Sequence, residues 1–232
     1  MLDLRNWTGG EWLCSVVLTG FRYWELVKLS EKKFSSEDVR LIKKEEVFSG
    51  FFKMVRFTLS HRLFAGGWSQ PIQRELLERG TCVGVLLYDP VHKLVGLVEQ
   101  FRVGALAQSD GPWLFEVVAG MVEPDESLED VACREVEEEA GINTNQLLPI
   151  CDYWVSPGGT SERMHLYCAL TDLTGGGGNF GLDHEAEDIL LHVLPQSEAF
   201  MWLDRGQCNN AATTICLMWL RANCDHLVES MD

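Results

Sequence analysis

At 232 residues and 26.2 kDa the chain fits one full-sized domain, or one domain plus a small lobe. It is 46% hydrophobic and 23% charged, so it can bury a core and does not read as disordered. Nineteen Lys and Arg stand against 35 Asp and Glu, a formal net charge of −16 that repels phosphate backbones and argues against a general nucleic-acid binder.

Residues 1–22 show no clear period and read as a loosely attached extension. Residues 23–78 read as a small β-rich lobe, with strand formers clustering from Lys43 to Trp68 and a turn at Ala65-Gly66-Gly67. The main domain is expected over 79–232. TCVGVLLY (81–88) and LVGLVEQF (94–101), joined by an Asp89-Pro90 turn, suit paired, well-buried strands, and WLFEVVAG (113–120) predicts one further strand. Ser127-Leu-Glu-Asp130 predicts a capped helix running to Ala140 and stopped by Gly141. Strands are expected near 148–155, 164–170 and 189–194, with a mobile loop at Gly175–Gly178 and a helix over 211–222. Strands and helices mix without strict βαβ alternation, which predicts an α+β or layered α/β/α domain. The eight cysteines form no CxxC pair or zinc pattern and read as reduced thiols. No apolar run reaches the length of a membrane helix and no secretory signal is evident, so a cytoplasmic protein without a membrane role is expected.

The acidic helix carries the chemistry. Glu135 and Glu139 stand i, i+4 on one face, with Glu138 beside them. Carboxylates this close repel one another, and burial would neutralise them; a divalent cation resolves both conflicts. Hard carboxylate oxygens are what Mg²⁺ takes, with waters and substrate phosphates completing its shell. A solvated acidic face, with Arg134 paired to Glu138, is the ordinary alternative for such a run. The spacing is far more restrictive than that alternative requires. From Gly120 to Ile142 the chain fits Gly-x5-Glu-x7-Arg-Glu-U-x-Glu-Glu-x-Gly-U, where U is aliphatic, at every specified position.

This segment resembles the Nudix box, which implies a layered α/β/α Nudix sandwich with a mixed sheet and cleavage of a nucleoside diphosphate linked to another moiety. The resemblance runs from Phe48 to Leu220 and is similar to the bacterial ADP-ribose pyrophosphatases. Pro157 in SPGGTSER stands fifteen residues past Ile142, and FSGFF (48–52), QRELLERG (73–80), EQFR (99–102), FEVVAGMVE (115–123) and HEAEDI (184–189) extend the match. Neither the tyrosine of dinucleoside polyphosphate hydrolases nor the coenzyme A pattern is present.

Carried over by position, the resemblance implies that the Ala119 carbonyl, Glu135 and Glu139 hold Mg²⁺, with Glu187 a further ligand and Glu138 adjoining them. Two or three metals per site are implied, with Mn²⁺ a possible substitute. It makes Glu185 the base that activates water. Arg102 is expected at the diphosphate and Arg74, Glu75 and Arg79 around the nucleotide. Phe51 and Phe52 are expected to stack on adenine from a partner subunit, and Met121, Ser156, Pro157, Gly158 and Glu162 to contact substrate elsewhere. A homodimer that exchanges its N-terminal lobe is implied as well. The expected reaction is Mg²⁺-dependent hydrolysis of ADP-ribose to AMP and ribose 5-phosphate. The alternatives are a preference for another nucleoside diphosphate sugar and a sensor that binds ADP-ribose without cleaving it.

Overall fold

The computed structural model describes residues 33–182 and 186–229. The expected extension over 1–22 lies outside them, as do His184 and Glu185. Strands β1 (Val39–Ser49), β2 (Lys53–His61) and β3 (Ile72–Glu78) form a separate antiparallel sheet in that order. Its first two strands cover the segment where strand formers cluster. The third arises from the QRELLERG stretch, whose polar composition hides a strand that pairs along Leu59–Lys53 of β2.

The main sheet holds β4 (Thr81–Asp89), β5 (Leu94–Phe101), β6 (Trp113–Glu116), β7 (Val118–Met121), β8 (Leu147–Trp154), β9 (Arg163–Leu170), β10 (Gly178–Phe180) and β11 (Ile189–Pro195). Its order is β10-β11-β5-β4-β9-β8, with β6 on β5 and β7 on β4. Only β4 and β9 run parallel, so the sheet is mixed. Helix α1 (Leu128–Ala140) covers one face, burying Val131, Ala132 and Val136 against Val83, Val85, Leu87 and Val98. Helices α2 (Gln196–Asp204) and α3 (Ala211–Glu229) cover the other, over Leu86, Tyr88, Val95, Leu97 and Leu166. Because both faces are covered, β4 and β5 are apolar without alternation. The architecture is α+β in three layers beside a small antiparallel sheet.

Three expectations need correction. The strand predicted over 113–120 breaks at Val117 into β6 and β7, which pair with different neighbours. The break is stabilised from outside the strand. The Val117 amide donates to the buried Thr213 hydroxyl (3.0 Å), and Asn210 donates to the Phe115 carbonyl (2.8 Å). The glycine run does not remain a loop throughout: Gly178 opens β10, which pairs with β11. The last helix runs to Glu229, and α2 precedes it, where weak amphipathic patterning concealed a second short helix.

Candidate active site

Helix α1 begins where the sequence requires. Ser127 caps it by accepting from the Asp130 amide, and Gly141 ends it in the left-handed region at φ 65°. The helix lies across β7, and this packing brings Glu135 and Glu139 to the Ala119–Gly120 backbone. The Glu139 carboxylate accepts from the Ala119 amide at 3.2 Å. Glu135 lies against Gly120 so closely that a Cβ there would fall 1.8 Å from its Oε1. Any side chain at 120 would therefore push the Glu135 carboxylate from this position, a reason for glycine independent of turn geometry.

Glu139 is only 3% exposed. Burial, opposed by the Ala119 amide and reinforced by Glu135 and Glu187, pushes its carboxyl up to about 8. Burial also raises Glu135, against the pull of Arg134 and with the help of Glu138 and Glu187. Of these acids Glu139 is buried, while Glu135 and Glu187 are half-buried beside it. Glu187 joins them from the loop before β11. Its Oε2 accepts from the Leu182 amide (3.3 Å), and Gly181, at φ 101°, leaves room for its Cβ, which a side chain at 181 would meet at 2.8 Å. The donor set is hard oxygen throughout, which fits a divalent cation.

Glu138 is engaged elsewhere. Arg134 bonds Glu138 (3.0 Å), Glu135 (2.8 Å) and, ahead of the helix, Glu126 (3.4 Å), so one guanidinium links the Glu135 carboxylate beside Gly120 to its outer neighbours. The pair expected for an ordinary acidic face is thus present, alongside the buried cluster.

Arg102, just past β5, donates to Glu116 at 2.8 Å. Burial raises the Glu116 carboxyl, and Arg102 lowers it in part. Glu116 lies in the FEVVAGMVE motif, where its charge on an otherwise apolar strand is the sequence signal for it. Arg79 follows β3, stacks 4.5 Å from the Phe52 ring and bonds Glu162 at 3.4 Å. The buried thiol of Cys82 touches the same pair, and burial, with Glu162, pushes it up to about 11. Met121 is paired with Cys82 in the β4–β7 register, so the Arg79 cluster borders the strand that carries Ala119.

Phe51 and Phe52 make an edge-on pair with centroids 4.8 Å apart, Phe51 standing 88% exposed. Ser156, Pro157 and Gly158 lie in the loop after β8. That loop is stitched to β3 through Leu77 to Gly159 (2.8 Å) and Ser161 to Leu77 (3.0 Å). Arg74 and Glu75 do not join these groups within the chain. Both lie exposed on β3, Glu75 paired with Arg56 at 2.7 Å and Arg74 bonding the Gln73 carbonyl.

A second cluster lies at the far end of β4. Asp89, His92 and Asp172 bring ligand atoms within 4.8 Å beside a cleft of about 340 Å³. The Asp89 oxygens already accept from the amides of Val91, His92 and Leu173 and meet the His92 ring. Four partners saturate the Asp89 oxygens, so this carboxylate braces two turns.

The NUDIX domain matches residues 78–208. The chain is 43% identical over 188 residues to the ADP-ribose pyrophosphatase of Escherichia coli K12, covering 81% of this chain and 90% of the relative. It is 40% identical over 212 residues to the ADP-ribose pyrophosphatase of Haemophilus influenzae, covering 90% and 98% respectively. With the GDP-mannose pyrophosphatase of Pectobacterium atrosepticum it shares 29% over 188 residues, 78% of this chain and 93% of that one. With a domain match over more than half its length and a box helix packed on its glycine strand, the chain belongs to the Nudix family.

Proposed function

We propose that this chain hydrolyses the diphosphate of ADP-ribose to AMP and ribose 5-phosphate, using Mg²⁺ or, in its place, Mn²⁺. The observation that supports the reading is that Glu139 and Glu135 of the box helix lie against Ala119 and Gly120, with Glu187 near enough to raise both carboxyls. The identity to named ADP-ribose pyrophosphatases supports the substrate. When bound, two or three divalent ions would neutralise charge on the diphosphate and make water more acidic.

The protein's own groups supply the rest. Glu135, Glu139, Glu187 and the Ala119 carbonyl hold the ions, with Glu138 adjoining through Arg134. Arg102 turns from Glu116 toward the diphosphate, as a guanidinium suits paired phosphate oxygens. Arg79, Glu162 and Met121 border the nucleotide, while Ser156, Pro157 and Gly158 form the wall on the ribose side. Glu185, which lies outside the described residues, takes the proton of the attacking water; a positioned base supplies roughly 10²–10⁴-fold.

A homodimer completes the site in this reading. Val39, Leu41, Ile42, Val47 and Phe48 are exposed along β1 among charged residues, and a second copy would give these apolar side chains a surface to bury. Exchange of the N-terminal lobe would bring Phe51, Phe52, Arg74 and Glu75 to the partner's nucleotide.

The GDP-mannose pyrophosphatase relatives favour a second reading, in which another nucleoside diphosphate sugar is preferred. A sensor that binds without cleaving is disfavoured by the complete carboxylate set. Among the described residues no helix is long and apolar enough to cross a membrane. Chromatography of products from ADP-ribose, GDP-mannose and other nucleotide sugars, with and without Mg²⁺, tests the proposal. AMP and ribose 5-phosphate formed fastest from ADP-ribose is the expected result; faster turnover of another sugar nucleotide selects the second reading.

A further inference from the structure

Gln100 lies on β5, two residues before Arg102. Along this strand Leu97 packs under α2 and α3 while Val98 packs under α1, so alternation sets Gln100 and Arg102 on the α1 face. The strand register pairs Val98 with Glu116 and Gln100 with Leu114. The 2.8 Å ion pair from Arg102 to Glu116 therefore crosses the strand diagonally over Gln100. Beneath it Gln100 is 6% exposed, and its amide nitrogen is buried without a hydrogen-bond partner among the described residues.

A buried donor without an acceptor is rare in folded proteins and unfavourable enough to demand a reason. The surroundings suggest one. Arg102, the cation above it, is the group expected to leave Glu116 for the substrate, and the nearby carboxylates cannot tolerate an anion without added donors. A neutral amide supplies two donors without introducing another ion to be desolvated.

We propose that Gln100 is a substrate-binding residue whose amide donates to a non-bridging oxygen of the diphosphate, exposed to it when Arg102 swings from Glu116 to the phosphate. The ligand class is a nucleoside diphosphate sugar, and the inference rests on the hydrolase reading above. In the free protein the ion pair keeps water from the amide; with substrate bound, both donors on this face of β5 meet the same anion.

The test compares wild type with Gln100→Met and Gln100→Glu in the full chain. Three quantities are measured: kcat/KM on ADP-ribose with Mg²⁺, ADP-ribose binding by calorimetry with Ca²⁺, and the melting temperature of the free protein. Gln100→Met should lower kcat/KM by about ten- to a hundredfold and weaken binding, while leaving the melting temperature unchanged or raised. Gln100→Glu should lose more, because it opposes the diphosphate with a further anion. If Gln100→Met stays within twofold of wild type, the assignment is overturned. A lower melting temperature with unchanged kinetics also overturns it and makes the amide a structural group satisfied by buried water. If wild type cleaves another nucleotide sugar but not ADP-ribose, the ADP-ribose reading fails and the same comparison on that substrate decides Gln100. A wild type that cleaves none of them overturns both.

Discussion

Glu139 shows how one side chain can serve function at the expense of stability. It is almost wholly buried, next to two other acids, and its one hydrogen bond among the described residues comes from the Ala119 amide. Glu139→Gln should lower kcat by roughly 10²–10⁴-fold, since a metal ligand contributes several kcal/mol to the transition state. The metal-free variant should melt no lower than wild type, because burying an amide costs less than burying a carboxylate. Steady-state kinetics at saturating Mg²⁺ and a thermal melt in chelator check both halves; near-normal activity would remove Glu139 from the metal set. A paired experiment separates Glu185 from Glu187. Glu187→Gln should shift the Mg²⁺ dependence to higher concentration, whereas Glu185→Gln should lower kcat by roughly 10²–10⁴-fold at every Mg²⁺ concentration. Rescue of Glu185→Gln by Mg²⁺, with no rescue of Glu187→Gln, would exchange the two roles.

At the scale of elements, the site depends on a broken strand. If β6 ran on into β7 without interruption, one strand would pair with one neighbour. Here Glu116 faces Arg102 from β6, on β5, while Ala119 faces Glu139 from β7, on β4. The break is held by the start of α3. Asn210 caps that helix by accepting from the Thr213 amide (3.0 Å), and the same two residues bond the backbone of Phe115 and Val117. Thr213→Val keeps the shape of a fully buried side chain but leaves the Val117 amide unpaired, which should destabilise the fold by about 1–3 kcal/mol. Because Ala119 lies two residues on, the folded variant should also require more Mg²⁺ for half-maximal rate. Urea denaturation and a Mg²⁺ titration check this; a stability loss with an unchanged Mg²⁺ response would reduce Thr213 to a packing residue.

For the whole molecule, the separate three-stranded sheet is the feature that a single chain leaves unexplained. Its β1 is exposed along nearly its full length, and Phe51 projects at the turn after it. If a second copy covers this surface, mixing Phe51→Ala chains with inactive Glu139→Gln chains should restore about a quarter of wild-type activity in the mixture. That expectation follows from random pairing, since half the dimers are mixed and each has one intact site, provided that Phe51 acts across the interface. No restored activity, or light scattering that shows a fully active monomer, would sink the exchange.

Much of this was legible in the sequence because local rules carried it. Ser127 and Gly141 bound α1 as capping chemistry requires, and the apolar runs at 81–88 and 94–101 became β4 and β5 because strands buried on both faces need no alternation. The i, i+4 spacing put Glu135 and Glu139 on one face before any contact was known. What local rules could not reach was which backbone the helix would meet. The packing of α1 on Gly120, the break at Val117, the pairing of Glu116 with Arg102 and the burial of Gln100 beneath that pair all join residues distant in sequence. Periodicity and capping describe a chain's interactions with its near neighbours, whereas these contacts exist only once the two helical layers have closed on the sheet. The box residues and their spacing were determined by the sequence alone; the buried, charge-unbalanced site they create was decided by tertiary packing, because desolvation depends on what covers a carboxylate and not on its neighbours in the chain.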